Sequence, residues 1–306
     1  MALFSYSELK YYFFGLGVGL ANVAHNGLRL GLKKTIGKIS QPVNYYTRFP
    51  EYHYFGEAIQ KFIDAAPLDR PIKILDIGSP KLLGIYFAAK TRADLLLTDI
   101  SELNVDEYKV LWEGIKPKAK GSATFLLEDA RALKMPDEDV DVVFSMSVVE
   151  HIWGEGGDST AIEEMMRVLK PGGLLVLSVP FGPQFVAQQR VGLAEAVRDT
   201  KNEKAYFFQR VYNPEAFQTR IVDHARGLEK ITFTTILRKN LWTHRAFAAL
   251  GENGRAAVGF VNPVLSRLIN RSREGMDASF QVDYGPLYST RDVYGDLVFV
   301  GFKKNA

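Results

Sequence analysis

The 306-residue chain is 47% hydrophobic and 24% charged, the balance of a soluble globular protein large enough to hold its core without a disulfide or metal staple. It contains no cysteine, which excludes disulfides and Cys-built zinc sites, and its net charge of +3, with no basic stripe interleaved with aromatics, argues against a nucleic-acid partner. No internal repeat or low-complexity tract interrupts it, so the length implies one large α/β domain with insertions or two small domains.

The first segment, 1–43, reads as an apolar, amphipathic helical stretch. Between Lys10 and Arg29 it carries no charge: YYFFGLGVGLANVAHNGL. That length sits at the edge of a membrane span, but Asn22, His25 and Asn26 interrupt it and glycines dilute it. Phe13, Leu16, Leu20, Val23 and Leu30 fall near helical spacing, while Asn22, Asn26, Arg29 and Lys33 recur on another face. Two readings stay open. With its basic flank (Arg29, Lys33, Lys34, Lys38), the stretch 10–38 suits an anionic membrane surface. Alternatively, its apolar stripe caps the chain's own core or pocket. No basic leader or small-residue cleavage site frames a secretory signal.

From residue 72 short β-rich runs alternate with helical ones. IKILDIG (72–78), ADLLLTDI (93–100), ATFLLEDA (123–130), DVDVVFSMSV (139–148) and LLVLSVPFG (174–182) read as strands. KLLGIYFAAKT (81–91), ELNVDEYKVLWEGI (102–115) and AIEEMMRVLKPGG (161–173) read as helices, the last stopped by Pro171 and two glycines. Near-continuous Ile/Leu/Val runs alternating with helices predict a parallel sheet covered on both faces. Residues 183–212 are polar and read as a helical insertion. NPEAFQTRIVDHARGL (213–228) restarts a helix, with Asn213 at its N-cap and Pro214 in its first turn. KITFTTILR (230–238) is a further strand, 239–290 a long insertion containing an apolar helix (NPVLSRLINR), and DLVFVGFKK (296–304) the closing strand. Residues 44–306 then form one domain with two insertions.

In an open α/β sheet, ligands bind beyond the carboxyl ends of the strands. Those ends carry Asp76 and Gly78, then Asp99, then Glu128-Asp129-Ala130, then Ser145-Met146-Ser147 followed by Glu150-His151. Gly78, lacking a Cβ, permits close approach of a ligand to the backbone. Asp99, 21 residues beyond it, can accept both hydrogen bonds of a ribose diol. Asp129 can accept from an adenine amino group.

This set resembles the class I S-adenosylmethionine (SAM)-dependent methyltransferases, in particular the small-molecule group with a type 11 methyltransferase domain. The resemblance rests on ILDIGS, LLLTDIS, FLLEDARAL, VVFSMSVVEHI and MMRVLKPGGLLVLSVPFG, in order over roughly residues 70–182. It implies a Rossmann-like, seven-stranded, mostly parallel sheet with helices on both faces and an antiparallel last strand. It implies SAM as cofactor, with Asp76, Gly78 and Ser79 shaping the loop around the methionine part. Asp99 would hold the ribose hydroxyls and Ile100 pack on the adenine. Asp129 would take the adenine amino group beside Ala130, and Ser145 and Met146 would line the methionine and sulfonium. The chain departs from the family at Pro80 and Leu82, where glycines are usual. SAM carries no pyrophosphate, so one close backbone approach serves it better than a nest of amides, and Pro80 can pre-set the turn into the helix.

His151, just past the fourth strand, is the expected proton acceptor, an imidazole's ordinary pKa suiting the task; the other reading is that Glu150 and His151 only orient the next loop. Some relatives bind a metal through Glu-x-x-Glu-His; Ser147 stands in place of the first Glu, so no metal is expected. Tyr45, Tyr46 and Arg48 would close over the cofactor, Arg48 reaching its carboxylate. On the acceptor side Tyr46, Arg48, Arg210 and Tyr212 are candidate contacts. The expected acceptor is a partly apolar small molecule, lipid-linked or a natural product, methylated in the cytoplasm or at the cytoplasmic face of a membrane. The alternative is a non-catalytic SAM-fold scaffold or membrane-associated assembly protein. A nicotinamide site is disfavoured because Pro80 and Leu83 stand where G-x-G-x-x-G needs glycine, and neither a phosphate loop nor a hydrolase elbow is present.

Overall fold

The computed structural model describes residues 6–39, 48–67, 69–182, 184–191, 205–238, 270–275 and 296–305. Three helices come first: α1 (Tyr6–Asn26), α2 (Leu32–Ile39) and α3 (Arg48–Ala65). The alternating core follows as β1 (Lys73–Ile77), α4 (Leu82–Lys90), β2 (Asp94–Asp99), α5 (Glu102–Ile115), β3 (Ser122–Leu127), β4 (Val140–Met146), α6 (Gly157–Val168) and β5 (Leu169–Phe181). Then come β6 (Val186–Val191), β7 (Ala205–Val211), α7 (Pro214–Phe217), β8 (Leu228–Arg238), β9 (Asn270–Gly275) and β10 (Asp296–Lys304).

The main sheet runs β3-β2-β1-β4-β5-β10-β8-β9. The first five strands are parallel; β10 lies antiparallel between β5 and β8, and β9 is antiparallel to β8. Six of the eight strands therefore point one way. The expected count of seven is corrected to eight because β9 adds an edge strand from within the 239–290 segment. Asn270 and Arg271, the last residues of the helix expected there, begin β9, and the rest of that insertion lies outside the described residues.

Both faces of the sheet are covered, which explains the unbroken apolar strands. On one face Leu75, Val143, Leu175 and Leu177 pack with Ile162, Met165 and Met166 of α6 and with Phe217 of α7. On the other Ile74, Leu95, Val142 and Phe144 meet Leu83 and Phe87 of α4, Phe55 and Ile59 of α3, and Leu111 and Trp112 of α5.

Several element expectations are corrected. The segment 183–212 was expected to be helical, but its described parts form the antiparallel hairpin β6–β7. Gln209 donates across the pair to Gln188 at 2.9 Å. The helix expected over 161–173 spans Gly157–Val168 instead. Pro171 and the two glycines sit in β5, where the β4–β5 register slips between Val140 and Val142 and Gly172 takes φ +73°. A strand irregularity tolerates a residue without an N–H. The helix expected over 213–228 is only α7, capped as predicted by the Asn213 side chain on the Ala216 N–H, followed by a wider π-type turn over Gln218–Val222. There Ser159 Oγ donates to the Arg220 carbonyl at 2.9 Å and Asp158 holds the Arg220 guanidinium, drawing the backbone towards α6.

The N-terminal stretch is two helices joined by a turn in which Gly27 and Gly31 take positive φ. Its inward side joins the core through Tyr11 and Val18, and a second apolar side faces outward. Tyr11, Gly15, Val18 and Asn22 face inward, and Asn22 Nδ2 reaches Thr35 Oγ1 at 3.5 Å. Phe13, Leu20 and Val23 face solvent. No described helix is long and apolar enough to cross a membrane.

Candidate active site

A cavity of about 620 Å³ opens where the strand ends converge. Gly78 leaves β1 with φ +63°, its N–H bonded to the Thr98 carbonyl at 3.0 Å. A Cβ at this position would stand 2.6 Å from Val148 Cγ1, so glycine is required by both backbone and space. Asp99 and Ile100 at the end of β2, and Asp129 and Ala130 past β3, line the same cavity as Gly78. His151, Phe208, Val148, Ile152 and Trp153 line it as well, Val148 beside Gly78. Five of the residues named for the cofactor and the named base therefore share one space.

The other named residues lie elsewhere. Asp76, Ser79, Ser145 and Met146 are buried and do not line the cavity. Their bonds shape its floor: Ser79 Oγ accepts from the Met146 N–H at 2.8 Å, and the Asp76 carboxylate accepts from the Ser79 N–H at 3.0 Å. Tyr45 and Tyr46 lie outside the described residues. Arg48 does not reach the cavity; its Nη1 pairs with Glu51 at 2.8 Å. Arg210 ends a strand rather than starting a helix. It is buried and donates to the carbonyls of Ile152 and Gly154, each at 2.6 Å. Tyr212, also buried, donates to Asp158 at 2.8 Å. These two residues hold the 152–158 loop and do not line the cavity.

Lys81 was not anticipated. It is fully buried, donates to the Ser79 carbonyl at 2.7 Å, and stands 3.6 Å from both Asp76 and Asp99. Burial pushes the Asp76 carboxyl up to about 6, against the pull of the Lys81 ammonium. A single lysine inside an otherwise small or apolar turn, flanked by two acidic strand ends, was the available signal. Glu51 was missed as well: fully buried, it accepts from Ser147 Oγ, Ser178 Oγ and Arg48. Ser147 itself takes φ +51°, an αL backbone for a non-glycine residue.

Two contacts condition the chemistry. Asp129 is clasped by Arg131, whose Nη2 lies at 2.6 Å and whose guanidinium covers the Trp153 ring at 4.5 Å. That bond holds the Asp129 carboxyl below its ordinary value. His151 Nδ1 lies 2.6 Å from the Phe208 carbonyl. A carbonyl can only accept, so Nδ1 carries the proton and a neutral ring presents Nε2 as base. Phe208 is the residue skipped in the β6–β7 register, which passes from Gln188↔Gln209 to Gln189↔Phe207. This bulge turns the Phe208 carbonyl towards the imidazole. Glu150 Oε1 lies 3.8 Å from His151 Nε2, and burial pushes the Glu150 carboxyl up to about 8, with the Glu51 charge adding to the shift.

The sheet places this strand-end set at the edge where open α/β sheets bind ligands. Residues 75–177, about a third of the chain, match the family described as methyltransferase domain. The chain is 35% identical over 123 residues to a malonyl-[acyl-carrier protein] O-methyltransferase of Methylococcus capsulatus, a match covering 40% of this chain and 42% of that protein. It is 34% identical over 117 residues to an uncharacterized methyltransferase of Mycobacterium leprae, covering 36% and 39%. The chain thus spans about two fifths of the length of these curated relatives. A solved SAM-dependent methyltransferase of Methanosarcina mazei overlaps 81% of this chain and 98% of its own, at 16% identity and a TM-score of 0.47.

Proposed function

We propose that this chain transfers a methyl group from SAM to a small, partly apolar acceptor. The observation that carries the reading is the sharing of one cavity by Gly78, Asp99, Asp129 and His151. The residues fit the cofactor: the missing Cβ of Gly78 leaves room for a close approach, Asp99 borders the cavity, and Ile100 offers an exposed apolar side chain to a flat ring. Lys81 stands too far from Asp99, at 3.6 Å, to fill its hydrogen-bonding capacity, so the carboxylate can still accept from a diol. Asp129 receives an adenine amino group only by sharing its oxygens with Arg131.

SAM, when bound, supplies an electrophilic methyl group on a sulfonium. Gly78, Asp99 and Ile100 orient the adenosine. The apolar wall of Val148, Ile152, Trp153 and Phe208 excludes water and receives the acceptor. His151 Nε2 would take a proton from the acceptor, while the Phe208 carbonyl holds the Nδ1 proton in place. The name of the Methylococcus relative, with its carrier-linked malonyl group, supports an acyl acceptor held on a carrier.

A second reading, a SAM-fold scaffold without catalysis, is favoured by Lys81 alone, a cation lodged between the two acidic strand ends. Titration calorimetry with SAM and S-adenosylhomocysteine separates the two. Binding supports the enzyme, and heatless injections at millimolar ligand support the scaffold. Mass spectrometry of host extracts incubated with the protein and methyl-labelled SAM then identifies the acceptor.

A further inference from the structure

An amphipathic helix on a soluble core turns its apolar side inward. The helix α1 is apolar on two sides, with Tyr11 and Val18 packed into the core and a second apolar side turned outward. Its inward positions include Asn22, fully buried, while Phe13 and Leu20 are 53% and 75% exposed. The turn and α2 continue the pattern with Leu28 at 63% and Leu32 at 59%, and Ile36 is exposed one turn further on. Six of the eleven large hydrophobic residues exposed among the described residues thus fall within positions 13–36. Around the helical positions of Phe13 and Leu20 lie Leu16, Gly17, Val23 and Ala24, none of them polar.

The segment is mostly basic, although Lys10 pairs with Glu57, Arg29 with Glu113, and Lys34 and Lys38 with Glu107. Residues 1–50 hold six basic residues (Lys10, Arg29, Lys33, Lys34, Lys38, Arg48) and one acid, Glu8, although the whole chain carries only +3. Arg29 and Lys33 are exposed beside the turn. On the other flank of α1 a groove of about 670 Å³, lined by Phe13, Phe14, Val18, Tyr86 and Ile115, has Lys10, Lys90 and Lys118 among its walls. Gly17 opens onto it, and a Cβ there would touch nothing.

We propose that the outward face of α1 and α2 docks this protein onto an anionic lipid bilayer. The apolar side chains enter the headgroup boundary, the basic residues meet lipid phosphates, and the lysine-edged groove beside Phe13 receives an acyl chain. The exposed apolar face argues for a hydrocarbon partner, and Arg29, Lys33 and Lys34, which stay exposed beside it, select an anionic surface. The α2 end of this face is tied to the cavity, since Lys38 Nζ donates at 3.2 Å to Asn104, one of the cavity's lining residues. This inference does not depend on methyl transfer.

The test is co-sedimentation of the full chain with vesicles of phosphatidylcholine and phosphatidylglycerol, and with vesicles of phosphatidylcholine alone. Binding about tenfold stronger to the anionic vesicles, and weakened by high salt, is expected. Leu20→Glu and Leu32→Glu, each at an exposed position away from the cavity, should abolish vesicle binding while leaving the SAM titration and the melting temperature unchanged. A Leu20→Trp variant should show a fluorescence blue shift on the anionic vesicles. No binding to either vesicle, or equal binding to both, overturns the proposal. A dimer in solution that Leu20→Glu dissociates, without vesicle binding, also overturns it, because a second copy then covers the face.

Discussion

Lys81 and His151 each sit between groups that constrain them, and each can be tested alone. Replacing Lys81 by Met would leave the buried Asp76 carboxylate without its cation, a loss of about 3–5 kcal/mol by analogy with broken buried pairs. Chemical denaturation of Lys81→Met, Asp76→Asn and the double variant measures it; the double variant should recover much of the loss, and strict additivity would mean that the two do not interact. Asp99 faces the same ammonium, so Asp99→Ala should weaken SAM binding at least tenfold in calorimetry. His151→Ala is expected to lower turnover by about 10²–10⁴ with the SAM affinity intact. Undiminished turnover would reduce His151 to a loop-orienting residue.

At the scale of elements, close approaches of backbone decide the packing. Gly15 of α1 lies against α2 so tightly that a Cβ would run into the Ile39 carbonyl oxygen. Gly15→Val should therefore undock α2 and cost about 1–3 kcal/mol in thermal or urea unfolding. The parallel strands and their helices were legible in the sequence because apolar runs, acidic strand ends and a helix cap at Asn213 are local signals. The hairpin and the π-type turn were not. The polar arms of β6 and β7 look helical until paired with each other, and the turn at Gln218–Val222 is set by Asp158 and Ser159, some sixty residues earlier. The site was half legible: strand-end carboxylates announce themselves by position, whereas the contacts of Arg210 with the loop at Ile152 and Gly154 arise only from tertiary folding. Orientation of α1 was legible as amphipathicity but not as direction, since an apolar stripe does not say which side faces the core.

Over the whole molecule the buried carboxyls impose a pH dependence of stability. Glu150 rises from 4.5 to about 8 and Asp76 from 3.8 to about 6 on folding. A raised acid binds its proton more tightly when folded, so stability declines as pH climbs from the ordinary value through the folded one. The slope is about 1.4 kcal/mol per pH unit for each such group. Asp141, gripped by Arg70 and Lys170, and Asp158, gripped by Arg220, are held below their ordinary values and act in the opposite sense, losing their contribution only in stronger acid. The melting temperature should therefore peak on the mildly acidic side and fall between about pH 5 and pH 8. Glu150→Gln should flatten that fall, and an unchanged profile would place the titration elsewhere. The bulge at Phe208 reaches further than its own strand. Shortening β7 by that one residue would regularise the ladder, yet it would withdraw the carbonyl that fixes the imidazole tautomer and reshape the wall facing the acceptor. Under the proposed function, drift in hairpin length would alter the acceptor and its deprotonation in a single event, so the two traits would be inherited as one.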